Sequence, residues 1–582
     1  MTTTMSATTT LRVRLTALAA TGALALAGCS GGSPDGDKPS TGASSSSKSG
    51  SGSSSQGQNR TSADAGLPTQ AELAQAKRDV AKLTTKQLAG QVIVGYYPGS
   101  QRDAAAEAIR KDGLGGVIIM GDNVPQDVTA GLPAITSAAQ QAMKDTGRSW
   151  PAVIGIDQEG GPVARIKAPV TQLPGGMAYG AADDAELAAK IAKGQGQELR
   201  ALGVTMVFAP DADVTVGPQD PTIAVRSPGS DPQRVSRAVN GQVKGFQEAG
   251  LVPVIKHFPG HGSVTTDTHV DYAVQSQPVS ALTKRDWVPF ANAVKAGAPA
   301  VMTAHIVLKD IDPNVPSTLS NKVVTGELRD KLGFKGLVVT DGMNMGAIVK
   351  KFDKGGAAAV SALKAGADVV LMPANATASV AAIEKAVASG ELTRERLVES
   401  AARIVATTRH QQVKAPATNV VGAHGKDAEQ FARESITQLG GSCDKLLVGK
   451  SVRLDGGSTS DRAELTKALT ARGITVGSSG TRVSLIAGGS YNAGKASADG
   501  GSEADSAGGS GAGSSTKAGV QVALDTPYVL ASRPAGAVGL ATYGNTPSTF
   551  AALADILAGK AKAGGTLPVA VGDNKVGDSA CS

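Results

Sequence analysis

The chain has 582 residues, too many for one ordinary domain, so two domains are expected together with unfolded segments. Its 57 Lys and Arg against 50 Asp and Glu leave a formal charge of +7 with no long basic run, which argues against nucleic acid as a partner. Aromatic residues make up only 3%, whereas Gly reaches 73 residues.

Residues 1–28 read as a signal peptide. Arg12 and Arg14 form a basic start, and 15–26 is an apolar run too short to span a bilayer well. The run ends Leu26-Ala27-Gly28-Cys29, which resembles the bacterial lipobox. That resemblance implies cleavage before Cys29, lipidation of its thiol, and a chain tethered by a lipid anchor on the outer side of the cytoplasmic membrane. Residues 29–65 are Ser/Gly-rich, bury too little to fold, and are expected to form a disordered tether.

From 66 to 412, apolar Val/Ile-rich runs alternate with amphipathic stretches. The runs are 91–96, 116–120, 152–156, 204–209, 252–257, 300–306, 336–340 and 368–372. Apolar on both faces, they suit strands covered on both sides. Helical periodicity marks 184–202, 232–249, 280–296, 321–332 and 356–365, several opening on Asp or Ser and closing near Gly. Eight strands with intervening helices predict an α/β fold, a TIM-like (β/α)8 barrel, whose active site would lie at the C-terminal strand ends.

A Pro-containing linker, 413–425, leads to a smaller α/β open-sheet domain, 426–582. Its expected helices are 427–439, 461–472 and 547–558. Its expected strands are 451–454, 482–487, 527–531, 538–542 and 567–571. A Ser/Gly/Ala tract, 496–518, reads as a disordered loop. In an oxidising exterior, Cys443 and Cys581, near the two ends of this domain, are expected to pair.

Successive barrel runs end in ionisable residues: Asp157, then Asp211 and Asp213, then Lys256-His257, then His305, then Asp341. Asp267 and His269 stand two apart in a Gly-, Ser- and Thr-rich loop. On an extended segment they would share a face, so the carboxylate could orient the imidazole for proton transfer. Asp341, at a buried strand end and followed by Gly, can be presented as a nucleophile. A carboxylate and a proton-transfer group acting on one sugar carbon are the equipment of a retaining glycosidase. Asp157 can accept bonds from neighbouring hydroxyls, and Arg165, Arg226, Lys256 and His257 can donate them.

The segments I-D-Q-E-G-G-P-V-A-R (156–165), A-P-D-A-D-V (209–214), V-R-S (225–227), K-H-F-P-G-H-G-S-V-T-T-D-T-H (256–269), M-T-A-H-I (302–306) and V-T-D-G-M-N-M (339–345) follow in order. In them the chain resembles glycoside hydrolase family 3, in its exo-β-N-acetylglucosaminidase (β-N-acetylhexosaminidase) branch. The resemblance implies Asp341 as nucleophile and His269, steered by Asp267, as acid/base. It implies Asp157, Arg165, Arg226, Lys256 and His257 as the residues holding a terminal N-acetylglucosamine. It implies no cofactor. Asp-Thr-His stands where Asp-Ser-His is usual, and Gly342 where a second Asp is frequent.

Location and family together point to oligosaccharides or muropeptides from the cell wall as substrate, and a monomer is expected. Three other readings remain. One is a metal site among His257, His261, His269 and Asp267, whose spacing fits no zinc pattern. The second is a non-catalytic sugar-binding lipoprotein, and the third a phosphorylase built on the same site.

Overall fold

The computed structural model describes residues 66–488 and 519–581. The signal peptide, Cys29, the tether and the 496–518 tract lie outside the described residues.

Eight parallel strands form one sheet: β1 (Ile93–Gly95), β2 (Gly116–Ile119), β3 (Val153–Ile156), β4 (Met206–Val207), β5 (Val252–Phe258), β6 (Ala300–Thr303), β7 (Leu337–Thr340) and β8 (Val370–Leu371). Each pairs with its chain neighbours, and β1 pairs with β8. A bridge between Val339 and Val369 joins β7 to β8, so the sheet closes into a barrel. Every strand residue is buried, as both-face apolar runs require.

The outer helices follow their caps. Asp184 accepts from the N–H groups of Glu186 and Leu187 to start Ala185–Ala201. Asp231 does the same for Pro232–Glu248, where Pro at the first position suits a helix start. These two helices approach closely because Gly241 and Gly245 face the first: a Cβ there would stand 2.3 and 2.1 Å from the carbonyls of Ala185 and Ala189.

Below the barrel, the carboxylate of Asp368 gathers Arg329 at 2.6 Å, Arg403 at 3.1 Å and Arg396 at 3.3 Å, and accepts the Val338 N–H at 3.1 Å. This knot ties β7 to β8 and to the last barrel helix, Arg394–His410.

The second sheet comprises β9 (Thr437–Leu439), β10 (Ser451–Gly456), β11 (Thr475–Val476), β12 (Thr481–Ile486), β13 (Val520–Ala523) and β14 (Val538–Ala541). Its order is β9-β14-β13-β12-β10-β11, parallel except for β9. Cys443 and Cys581 form a disulfide.

Several expected elements differ. The segment 280–296 is two helices, Val279–Leu282 and Val288–Lys295, separated by a turn, with Pro289 suited only to a first helical turn. The helix at 321–332 is of π type, Lys322–Lys331. The helix expected over 427–439 stops at Ser435, and the β-branched pair Ile436-Thr437 opens an edge strand instead. Residues 527–531 are not a strand: Pro527, lacking an N–H for the ladder, opens the 3-10 helix Pro527–Ser532, and the neighbouring V-x-V of β13 fills the sheet. Residues 567–571 also form no strand, since Pro568 breaks the ladder and only Val571 makes a bridge, to Asn574.

Candidate active site

The ionisable tips expected from the sequence meet at the C-terminal end of the barrel. Asp157 follows β3, Lys256 and His257 end β5, His305 follows β6 and Asp341 follows β7. Asp211 forms a parallel bridge with Lys256, so the loop after β4 runs alongside β5.

One cluster is charged and almost dry. The Nζ of Lys256 lies 2.8 Å from Asp157 and 2.7 Å from Glu159. Arg226 grips both oxygens of Glu159 at 2.9 Å each. Arg165 reaches Asp157 at 3.4 Å. Burial works against charge on Glu159, but Arg226 and Lys256 outweigh it and hold the carboxyl well below its usual range. The same contest, won by Lys256 and Arg165, lowers Asp157. Burial opposes the Lys256 ammonium, yet Asp157 and Glu159 keep it charged.

Beside it, Asp213 is fully buried. Its Oδ1 accepts the N–H groups of His257 at 3.3 Å and His261 at 2.5 Å, and its Oδ2 lies 2.7 Å from His257 Nδ1. Arg226 Nη2 stands 3.4 Å from Nε2 of His257. A guanidinium can only donate, so Nε2 is the acceptor and Nδ1 carries the proton. Burial and then Arg226 push the His257 pKa down to about 4, keeping the ring neutral. Burial pushes Asp213 up to about 7. Asp211, buried against Asp213, is raised well above the ordinary carboxylate range.

Asp341 is partly buried, and its Oδ1 accepts the Gly342 N–H at 2.7 Å. Burial alone would raise it; His305 first, with the other imidazoles that face it and the Gly342 N–H, outweighs burial and lowers it, so it stands ready as an anion. His305 donates through Nε2 to the Gly342 carbonyl at 3.0 Å and fixes the peptide beyond the carboxylate.

Asp267 and His269 are paired, but not by an extended segment. They sit in a turn in which Asp267 Oδ1 accepts the His269 backbone N–H at 2.9 Å and lies 2.7 Å from its Nδ1. An anionic acceptor at Nδ1 keeps the proton there and leaves chemistry to Nε2. The His269 carbonyl accepts the Gly346 N–H at 3.1 Å, and Lys350 Nζ donates to the Val270 carbonyl at 2.7 Å. The loop is therefore latched to the segment that follows Asp341.

All eight expected sugar-site and catalytic residues lie in this region. Sequence reasoning left out Glu159, the shared partner of Arg226 and Lys256. Its signal was period two: Asp157 and Glu159 alternate around Gln158 on the same short stretch. It also gave no role to His305 or to Asp213.

For a metal, the oxygens of Asp211 and Asp213 and a nitrogen of His257 fall within 4.8 Å of one another, the one such group among the described residues. Arg226, 3.6 Å from Asp211, already supplies the positive charge there. Of the four ligands considered from the sequence only His257 belongs to this group; His269 and Asp267 instead form their own pair.

A closed parallel barrel presenting a buried carboxylate, an Asp–His pair and a fixed ionic cluster at its C-terminal end is built to act on a polar, hydroxyl-rich molecule. The model of the glycosyl hydrolase family 3 N-terminal domain matches residues 77–407, and the chain belongs to that family of glycoside hydrolases. It is 33% identical over 364 residues to beta-hexosaminidase A of Pseudoalteromonas piscicida, covering 55% of this chain and 60% of that relative. It is 40% identical over 230 residues to beta-hexosaminidase of Xanthomonas oryzae pv. oryzae (strain MAFF 311018), covering 38% and 67%. Among solved structures, the glycoside hydrolase family 3 beta-N-acetylglucosaminidase of Paenibacillus sp. str. FPU-7 superposes with a TM-score of 0.72 at 31% identity, over 84% of this chain and 99% of that one.

Proposed function

We propose that the protein is a retaining exo-β-N-acetylglucosaminidase that releases terminal GlcNAc from cell-wall fragments. The observation that carries this reading is the latch between the two catalytic segments: Gly346, five residues beyond Asp341, donates to the carbonyl of His269. The names of the relatives and of the solved neighbour support the sugar specificity.

Asp341 attacks the anomeric carbon and forms a glycosyl-enzyme. His269, as imidazolium at the start of the step, gives its Nε2 proton to the departing oxygen. The neutral ring then takes a proton from water, which attacks the same carbon and frees Asp341. Asp267 stabilises the imidazolium. Asp157, Arg165, Arg226, Lys256 and His257 hold the sugar hydroxyls and the N-acetyl group. They are fixed by one another beforehand, so little reorganisation is needed on binding.

The lipobox-like end at Cys29 and the tether after it support a lipid-anchored enzyme facing the cell wall, with muropeptide ends as substrate. Trapping with a 2-fluoro or 5-fluoro sugar should add the sugar's mass to the peptide containing Asp341. Mass on another peptide, or none with an active enzyme, removes the mechanism. Release of GlcNAc from chitin oligosaccharides but never from muropeptides removes the substrate assignment.

A further inference from the structure

Arg226 lies on a loop that the second domain grips at several points. The carbonyl of Tyr543 accepts the Gly175 N–H at 2.9 Å. Gly175 and Gly176 in turn press on the backbone of that loop. A Cβ on Gly176 would stand 1.8 Å from the Arg226 carbonyl, and one on Gly175 would stand 2.9 Å from the Val225 carbonyl and 3.4 Å from that of Tyr543. Past Arg226, Ser230 donates to the Pro568 carbonyl at 3.1 Å. Before it, a Cβ on Gly217 would meet the Tyr528 hydroxyl at 3.9 Å. Tyr528, Tyr543 and Pro568 all belong to the second sheet domain.

The backbone on both sides of this contact is unusual. Ala224, two residues before Arg226, has φ 47°, and Tyr543 has φ 55°. Non-glycine residues adopt this region only where the surroundings over-determine it, and such residues gather at functional sites. Tyr543 is fully buried, and its hydroxyl donates to Thr437 at 2.8 Å. It shares one apolar cluster with Leu173, Met177, Tyr179 and Val225 of the barrel and Phe431 of the following helix. Tyr179 and Phe431 pack with their rings tilted by 41° and centroids 4.5 Å apart.

We infer that the second domain acts on the reaction as a brace, with Tyr543 a positioning residue that fixes Arg226 through Gly175. The domain then supplies no proton and no nucleophile; it sets where the guanidinium stands against Glu159, Asp211 and His257. This rests on Arg226 being a sugar-binding group, as proposed above.

The test is a double-variant cycle in the full chain, reading KM and kcat separately on a nitrophenyl N-acetyl-β-glucosaminide. Tyr543→Ala keeps the carbonyl but removes the buried ring and the Thr437 bond that hold it in place, and should raise KM about ten- to a hundredfold, as expected for a displaced binding group. In an Arg226→Ala background the same substitution should change KM by no more than about twofold, because its target is gone. If the two effects multiply, or if Tyr543→Ala reduces only the fraction of enzyme trapped by a fluorinated sugar and leaves KM unchanged, the brace is overturned. Should Tyr543→Ala not fold, Gly175→Ala, on the barrel side of the contact, decides by the same criteria. Arg226→Ala with unaltered KM is a distinct outcome: it refutes Arg226 as a sugar ligand, and the brace with it.

Discussion

Asp267 holds His269 twice through one oxygen, at 2.9 Å to the backbone N–H and 2.7 Å to Nδ1. The contact fixes ring, tautomer and turn together. His269→Ala should lower kcat about 10²–10⁴-fold on a sugar leaving group. The loss should be smaller on a nitrophenyl leaving group, which departs without a proton. Asp267→Ala should lower kcat less than His269→Ala does on both substrates. Steady-state kinetics on the paired substrates check the order, and equal losses for every leaving group would contradict acid catalysis by His269.

Lys256 is the hinge of the ionic cluster. Replacing it with Met removes the cation shared by Asp157 and Glu159 while leaving the methylene stem packed. Two buried carboxylates then keep only Arg165 and Arg226. We expect a loss of roughly 3 kcal/mol in unfolding free energy, read by denaturant titration, together with a raised KM. Unchanged stability would mean that water reaches the cluster.

Asp368 sets an acid limit on the fold. Burial acts against its charge, but Arg329, Arg403 and Arg396 overcome it and lower the pKa to about 2 from an ordinary value of 3.8. The folded state therefore holds on to the anion longer than the unfolded chain does. This stabilisation is complete above about pH 4 and is lost as the pH falls from there to about 2; it amounts to about 2 kcal/mol. Asp368→Asn should remove that part of the pH dependence and lower stability at pH 7. Urea midpoints at pH 2.5, 4 and 7 for both proteins measure it.

The disulfide between Cys443 and Cys581 spans 138 residues of sequence. Opening it by Cys443→Ser and Cys581→Ser should lower the stability of the second sheet by about 2–5 kcal/mol. Thermal unfolding should show the change. Under the brace inference, KM should shift only when this domain begins to melt.

The barrel was readable from local pattern because each strand is buried on both faces and so is written as a Val/Ile run; all eight runs became strands. The second sheet was less readable. Its strands are short and several are only half-buried, so Pro527–Ser532 could pass for a strand and Val520–Ala523 could be missed. In the site, Asp157, Lys256, His257, His269 and Asp341 were legible as polar ends of apolar runs or as close pairs. Glu159 was not singled out, because its importance comes from partners 67 and 97 residues away.

By itself the sequence determined which residues could carry charge and protons, and which end of the barrel would carry them, because strand period and strand ends are local properties. Only the tertiary structure decided which groups share a partner, that the Asp267–His269 pair is made by a turn, and that Tyr543 reaches Gly175 behind Arg226. The first and last of these join residues far apart in the chain, and the turn, though local, is held by its contacts with the segment after Asp341; burial lets the charged groups act on one another by removing the water that would otherwise screen them.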